Sequence, residues 1–379
     1  DAQGTMTAAA QWNADPSQRG VGTLMLTSPN GNSVDLIQSN AVRSGQIAAF
    51  LQMRDQDLVQ AQNQLDALAS AMAKALSDKT TTGSTATSGL QNGFDVDIGS
   101  LQAGNTITIN YTDGLTQTPH TITLVRVDDP SALPLSDGAT STPNDKVFGI
   151  DFSGGIGSVY GQINAAIAST GMVASNPIGT TLRILDDGAG NIVDVNSLST
   201  TVTETSLTGG GSELPFFTDG PQVYTGAING LHAQSLGLAG RIAVNSALVA
   251  DSSKLVVYQT GTAAGDSTRP DFIYRQLVDS ARLFSPDTGI GTASAPFSGT
   301  LTTYLRQVIS QQGEAAAAAA NLKQGQDVVL NSLQQRFNDS SSVNVDQEMA
   351  NLLTLQNSYA ANARVLSTVK DMFDILLRM

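Results

Sequence analysis

Cysteine is absent from the 379 residues. Disulfides, thiolate nucleophiles and cysteine-bound zinc are therefore excluded. Histidine is nearly absent too: His120 and His232 lie far apart in the chain and cannot form the His-Glu-x-x-His pair of a zinc peptidase. No Gly-x-Ser-x-Gly elbow offers a serine nucleophile. Charged residues make up only 14%, against roughly 25% in ordinary soluble domains. No apolar run approaches the ~18 residues of a membrane span, and no signal-peptide pattern opens the chain.

What charge there is leans one way. The net charge of −14 and pI near 4.4 argue against nucleic acid and against anionic membranes as partners. Polarity comes instead from 38 Thr and 37 Ser. The acids are 29 Asp against 4 Glu, and Asp favours caps and turns over helix faces. The length suits two or three domains with real hydrophobic cores.

Periodicity divides the chain into a helical frame and a β-rich insert. Val21 to Leu36 alternates around Ser28-Pro29-Asn30-Gly31-Asn32, a hairpin pattern. A long helix is predicted from Gly45 to Leu76, with a seam through Leu51, Leu58, Ala61, Leu65, Leu68 and Met72 and Arg54 as its one charged member. Lys79 to Gly89, polar and without periodicity, reads as a flexible domain boundary.

Short strands follow, at Asn105–Tyr111 and Thr121–Val127, with one helix near Val159–Thr170. This stretch holds most of the net negative charge, with only Arg126, Lys146 and Arg183 as bases. Gly209-Gly210-Gly211 marks the return to the frame, and Leu255–Thr260 reads as a strand. Leu301–Phe337 is predicted helical, with Gln312 and Gln326 as polar members of its seam, ending at Asn338–Ser342. The expected fold is α+β, elongated and multidomain. Residues 1–88 and 216–342 form a discontinuous helical frame, 89–215 an inserted acidic β-rich domain, and 343–379 a terminal assembly helix.

That last helix carries the clearest pattern. Leu352, Tyr359, Leu366 and Phe373 recur every seven residues, and Leu355, Asn362, Val369 and Leu376 follow three positions later. Seven of these eight seam positions are apolar, and the eighth is the Asn that often sets coiled-coil register. Asp346 and Glu348 in the first turn and Arg378 in the last suit the helix dipole.

The residues of this tail are familiar. Asp346-Gln347-Glu348-Met349-Ala350-Asn351-Leu352-Leu353, Gln356-Asn357-Ser358-Tyr359 and Phe373-Asp374-Ile375-Leu376-Leu377 resemble the C-terminus of the flagellar hook-associated protein 1 family, the first hook–filament junction proteins of bacteria. Gly45 to Asp55, with its Arg54-Asp55 pair, and Leu238 to Asn245 with Ser253-Lys254-Leu255 are similar to the same family. Gln162-Ile163-Asn164-Ala165-Ala166 resembles the short Ile-Asn motif of flagellin and hook-associated variable regions. No helix is legible before Val21, which fits a chain truncated at its N-terminus.

The resemblance implies a non-enzymatic structural adaptor that needs no cofactor or metal. It implies export through the flagellar channel without a cleaved signal peptide, and a place outside the cell in a ring between hook and filament. The implied partners are the hook protein, the second hook–filament junction protein, further copies of the chain, and an export chaperone holding the C-terminal helix. The eight seam residues would pack in the tube's inner layer. Other readings are another axial flagellar protein, hook protein or flagellin-like, or an adhesin or glycan-binding module on such a scaffold.

Two motifs resemble ligand sites and fall short. Gly155-Ile156-Gly157-Ser158-Val159-Tyr160-Gly161 follows a strand-like segment and precedes a helix, but its spacing is one residue too long for a dinucleotide loop. Asp186-Asp187-Gly188-Ala189-Gly190-Asn191 lacks the Glu of a calcium loop and reads as a hairpin turn.

Overall fold

The computed structural model describes residues 21–378 apart from 30, 231, 342 and 343. The expected truncation before Val21 lies outside the described residues. The chain divides into two compact units, one reaching to Gln311 and one from Gln312 onward. No described helix is long and apolar enough to cross a membrane.

The first unit opens with the expected hairpin, β1 (Met25–Thr27) against β2 (Ser33–Asp35). Helix α1 (Gly45–Gln52) passes through one π-turn, Met53–Asp57, into α2 (Leu58–Ser77). At that turn Arg54 Nε donates to Asp55 at 2.6 Å, and its Nη1 donates to the Gly22 carbonyl at 3.0 Å. The Arg-Asp pair therefore ties the hairpin base to the helix.

The burial of α2 differs from the expected seam. Leu58 and Leu65 are exposed, whereas Gln64, Asp66, Ala69, Ala73, Ala75 and Leu76 are buried. The C-terminal half is enclosed on several sides. Ala69 and Ala73 meet Tyr224 and Leu238, Leu68 and Met72 pack on the Phe284–Tyr304 cluster, and Leu76 joins Leu214 and Leu248. Alanines let those neighbours come close, so burial follows the tertiary surroundings and not a single 3.5-residue stripe.

Lys79–Gly89 is not a flexible boundary. It folds as β3 (Asp78–Thr82) and β4 (Ser84–Ser88), which start two different sheets. Gly83 makes the change of sheet possible, because a Cβ there would lie 2.8 Å from the Asp95 carbonyl. The sequence shows no apolar alternation because most side chains on both edge strands face solvent.

The insert has a five-stranded sheet, order β3-β11-β6-β7-β8, and a four-stranded one, order β4-β5-β10-β9. Strands β5 (Gln91–Asp97), β6 (Thr106–Asp113) and β7 (Pro119–Val127) come first; β8 (Lys146–Asp151) pairs parallel to β7. Helix α3 (Ile156–Ile167) leads to β9 (Val173–Ser175), β10 (Thr181–Leu185) and β11 (Val193–Thr203). Alternate residues point inward, Ile107 and Ile109 from β6, Ile122 and Leu124 from β7, to meet Val159, Ile163 and Ile167 of α3. Truncating any one of these to Ala costs roughly 2–5 kcal/mol.

The insert is rooted where the chain leaves and re-enters the frame. Thr203 donates from Oγ1 to Asp78 at 2.9 Å, Asn105 Nδ2 donates to Thr203 Oγ1 at 2.8 Å, and the Glu204 amide donates to the Ser77 carbonyl at 2.7 Å. Gly104 closes the contact: with φ at +87°, a Cβ there would lie 2.3 Å from the Gly226 carbonyl carbon.

The returning chain forms small sheets and short helices. Strands β12 (Phe217–Asp219), β13 (Gln222–Val223) and β14 (Ile242–Val244) pair together, followed by α4 (Ser246–Ala250), α5 (Thr268–Val278) and the β15 (Arg282–Leu283)–β16 (Ser298–Gly299) ladder. The strand expected at Leu255–Thr260 does not form. Asp251 accepts from the Ser253 amide and starts a 3-10 turn over Ser252–Leu255, Leu255 packs on the Leu214–Leu248 cluster, and Tyr258 donates to Asp266 at 2.9 Å. Local capping wins over β propensity there.

Helix α6 (Leu301–Ser341) runs past the expected stop at Asn338, and α7 (Val345–Leu376) starts as predicted. The mixed α+β architecture, with long helices and a β-rich insert, matches the class read from the sequence.

Candidate functional site

The frame grips the start of α6. Leu301, Tyr304 and Val308 are buried, and the Tyr304 ring stacks on Phe284 at 3.7 Å with planes 3° apart. Gln64 of α2 is fully buried, donating from Nε2 to the Thr288 carbonyl at 2.9 Å and to Gln311 Oε1 at 2.6 Å. Gln311 in turn donates to the Gly289 carbonyl at 2.9 Å. Two carboxamides thereby fasten α2, α6 and the intervening loop.

The second unit has another character. Every described side chain from Gly313 to Ser340, and from Asn344 to Arg378, is exposed. The eight predicted assembly residues, Leu352, Leu355, Tyr359, Asn362, Leu366, Val369, Phe373 and Leu376, all lie on α7 and all are exposed. At steps of three and four they share one side of the helix. Tyr359 is 80% exposed and Leu366 69%, values that no satisfied core position shows.

Apolar residues also lie off that seam. Met349, Leu353, Val365, Met372, Ile375 and Leu377 are exposed as well. A helix apolar over more than one side is suited to burial among several neighbours, whereas a two-stranded coiled coil covers one stripe. Its start is well made: the Asn344 side chain accepts from the Asp346 and Gln347 amides at 3.1 and 3.2 Å. Asp346 and Glu348 stand in the positive field of the first turn.

The other motifs resolve into structure. Gly155, with φ at +80°, is the N-cap of α3. Asp186 accepts from the Asn92 and Gly188 amides at 2.9 Å each, and Asp187 from the Ile192 amide at 3.0 Å. That segment links strands of two different sheets, so it is a crossover and not the expected hairpin turn. In the Ile-Asn motif, Ile163 enters the core while Asn164 bonds the Tyr160 carbonyl and both backbone groups of Ala174, fastening α3 to β9.

Sequence reasoning passed over three buried polar residues that organise the frame. Besides Gln64, Asp66 accepts from the Gly237 and Ala239 amides at 2.7 and 2.8 Å. Arg269 is fully buried, donating to the carbonyls of Leu207, Lys254 and Gly211 at 2.7–2.8 Å, with burial pulling its pKa down. Their burial left no sign in the sequence, because Gln62, Asn63 and Ser70 around Asp66, and Ser267, Thr268 and Asp271 around Arg269, are polar as well.

Comparison with known families gives two matches. Residues 2–95 match the flagellar hook-associated protein FlgK helical domain. Residues 334–379, which contain α7, match the flagellar basal body rod FlgEFG protein C-terminal family. A comparison with curated proteins returned no match. The first match spans the hairpin and the α1–α2 helix and reaches β5; the second carries the exposed apolar helix. These two matched segments, together with the long helices and the β-rich insert, indicate a hook-associated axial structural protein of the bacterial flagellum at the hook–filament junction.

Proposed function

We propose that this protein is a non-enzymatic adaptor that forms a ring of identical copies between hook and filament, assembled through α7. The observation that carries the reading is the helix itself: an N-capped, 32-residue helix whose apolar residues are all in solvent. Axial flagellar proteins assemble with hook and other hook-associated proteins as parts of the extracellular flagellum. Within that setting, Leu352, Leu355, Tyr359, Asn362, Leu366, Val369, Phe373 and Leu376 form the first contact face, and the off-seam apolar residues meet further neighbours.

The partners in this reading are the hook protein on one side, the second hook–filament junction protein on the other, and copies of the chain around the ring. An export chaperone covers α7 before assembly, because an exposed apolar helix of this length aggregates if left bare. Export follows the flagellar channel without a cleaved signal peptide. The domains act as frame (1–88 and 216–342), outward acidic insert (89–215) and assembly helix (343–379), with the insert's base drawn in to Asp78 and Thr203.

Deleting Met349–Met379 and scoring filament attachment in a motile strain tests this. Attachment should be lost while the purified protein keeps its thermal unfolding transition; normal filaments after the deletion would refute it. Immunogold labelling with antibody against residues 89–215 checks the location. Gold should form a band at the hook–filament boundary, and label along the hook or the filament would reassign the protein.

A further inference from the structure

A cleft of about 610 Å³ opens where the loop leading into β8 meets the loop between β15 and β16. That volume is in the range of small-molecule sites, ~300–1,000 Å³. Asn144 ties its two walls together, donating from Nδ2 to the Ala293 carbonyl at 2.7 Å.

The charge in this cleft is unbalanced. Lys146 lines it, but its Nζ is held by Asp137 at 2.6 Å. Asp145 and Asp287 line it too and pair with no described base. Asp145 is only 4% exposed; its Oδ2 accepts from Thr140 Oγ1 at 2.9 Å, while Oδ1 meets no donor. A buried carboxylate oxygen without a donor is costly and calls for one. Asp287 is exposed beside Gly138, where a Cβ would lie 3.2 Å from its Oδ2.

Aromatic surface completes the lining. The rings of Tyr111 and His120 stack with centroids 5.4 Å apart. Carboxylates beside aromatic faces suit an organic cation, whose charge pairs with the acids and whose polarised methylenes lie against the rings. A bare metal ion fits poorly, since among the described residues no three acidic or imidazole groups converge to hold one.

We propose that this cleft binds a small alkylammonium ligand, with its charged end at Asp145 and Asp287 and its apolar stem along Tyr111 and His120. The proposal is independent of α7 and of the junction role. The insert would then be a ligand-binding element on the frame.

The two histidines make the test direct. In proton NMR of the full chain, cadaverine should move the His120 C2–H resonance saturably and leave that of His232 in place. Asp287→Asn, on the surface, and Asp145→Asn, which keeps the side-chain shape, should each weaken the apparent affinity about tenfold or more. Pentane-1,5-diol, the uncharged analogue, should give no saturable shift, and neither should calcium chloride. An absent or unsaturable cadaverine response, an equal response to either control, or unchanged affinity in Asp287→Asn would each overturn the proposal.

Discussion

Arg269 shows how one side chain can organise a region without any chemistry to perform. Its guanidinium satisfies three carbonyls from two separate segments, the Leu207–Gly211 loop and Lys254, and lies 5.4 Å from the Tyr258 ring centroid. Arg269→Met should keep the stem's packing but leave those carbonyls without donors, a loss of about 3 kcal/mol in denaturant unfolding. A loss under about 1 kcal/mol would mean that water replaces the guanidinium without penalty.

Asp78, at the insert's root, makes a pH prediction. Burial pushes its carboxyl above the ordinary 3.8, against the opposing pull of Lys74, Thr203, Ser77 and Arg282. The folded state therefore holds this proton to higher pH than the unfolded chain does. The group's contribution to stability is greatest below 3.8 and falls as pH climbs to the raised value. Asp78→Asn keeps an acceptor for Thr203 and removes the ionisation. Thermal unfolding across pH should show the Asn variant gaining on the parent as pH rises from acid toward neutral, with a constant difference above that window. A difference independent of pH would rule out this assignment.

Among the elements, α3 is held by apolar contacts and amides together. Gln162 bonds both backbone groups of Asp151 in β8, and Asn164 does the same for Ala174 in β9. Asn164→Ala should cost about 1–3 kcal/mol and speed hydrogen exchange at the Ala174 amide without disturbing β6 or β7.

The elements also show where a sequence stops being informative. Strands β6 and β7 and helix α3 were legible because one face of each is buried, which writes alternation or a 3.6-residue repeat into the chain. Strands β3 and β4 were not, because most of their side chains are wet. At Leu255–Thr260 a strand-like composition lost to an Asp cap and a buried Leu255.

At the scale of the molecule, the two units are stabilised differently. Up to Gln311 the chain has buried clusters and a hydrogen-bonded root between frame and insert. Beyond it, described side chains from Gly313 onward are exposed, so helix formation there rests on local propensity and capping alone. Limited proteolysis of the purified protein should therefore cut first between Gly313 and Arg378. A fragment ending near Gln311 should survive with its thermal midpoint unchanged. First cuts within β5–β11 would contradict this ordering.

The sequence by itself determined the class of the molecule, the insert, both long helices and the heptad positions of α7. Those features repeat along the chain, and repetition is what a one-dimensional pattern records. Tertiary structure alone decided which side of α2 is buried, that a polar stretch pairs into two sheets, and that Gln64, Asp66 and Arg269 are interior. It alone brought the Asp137–Lys146 loop against the Ser285–Ala293 loop to form a cleft. Most of these depend on partners far off in the chain, up to 62 positions away for Arg269 and 247 for Gln64. No local periodicity encodes contacts of that range.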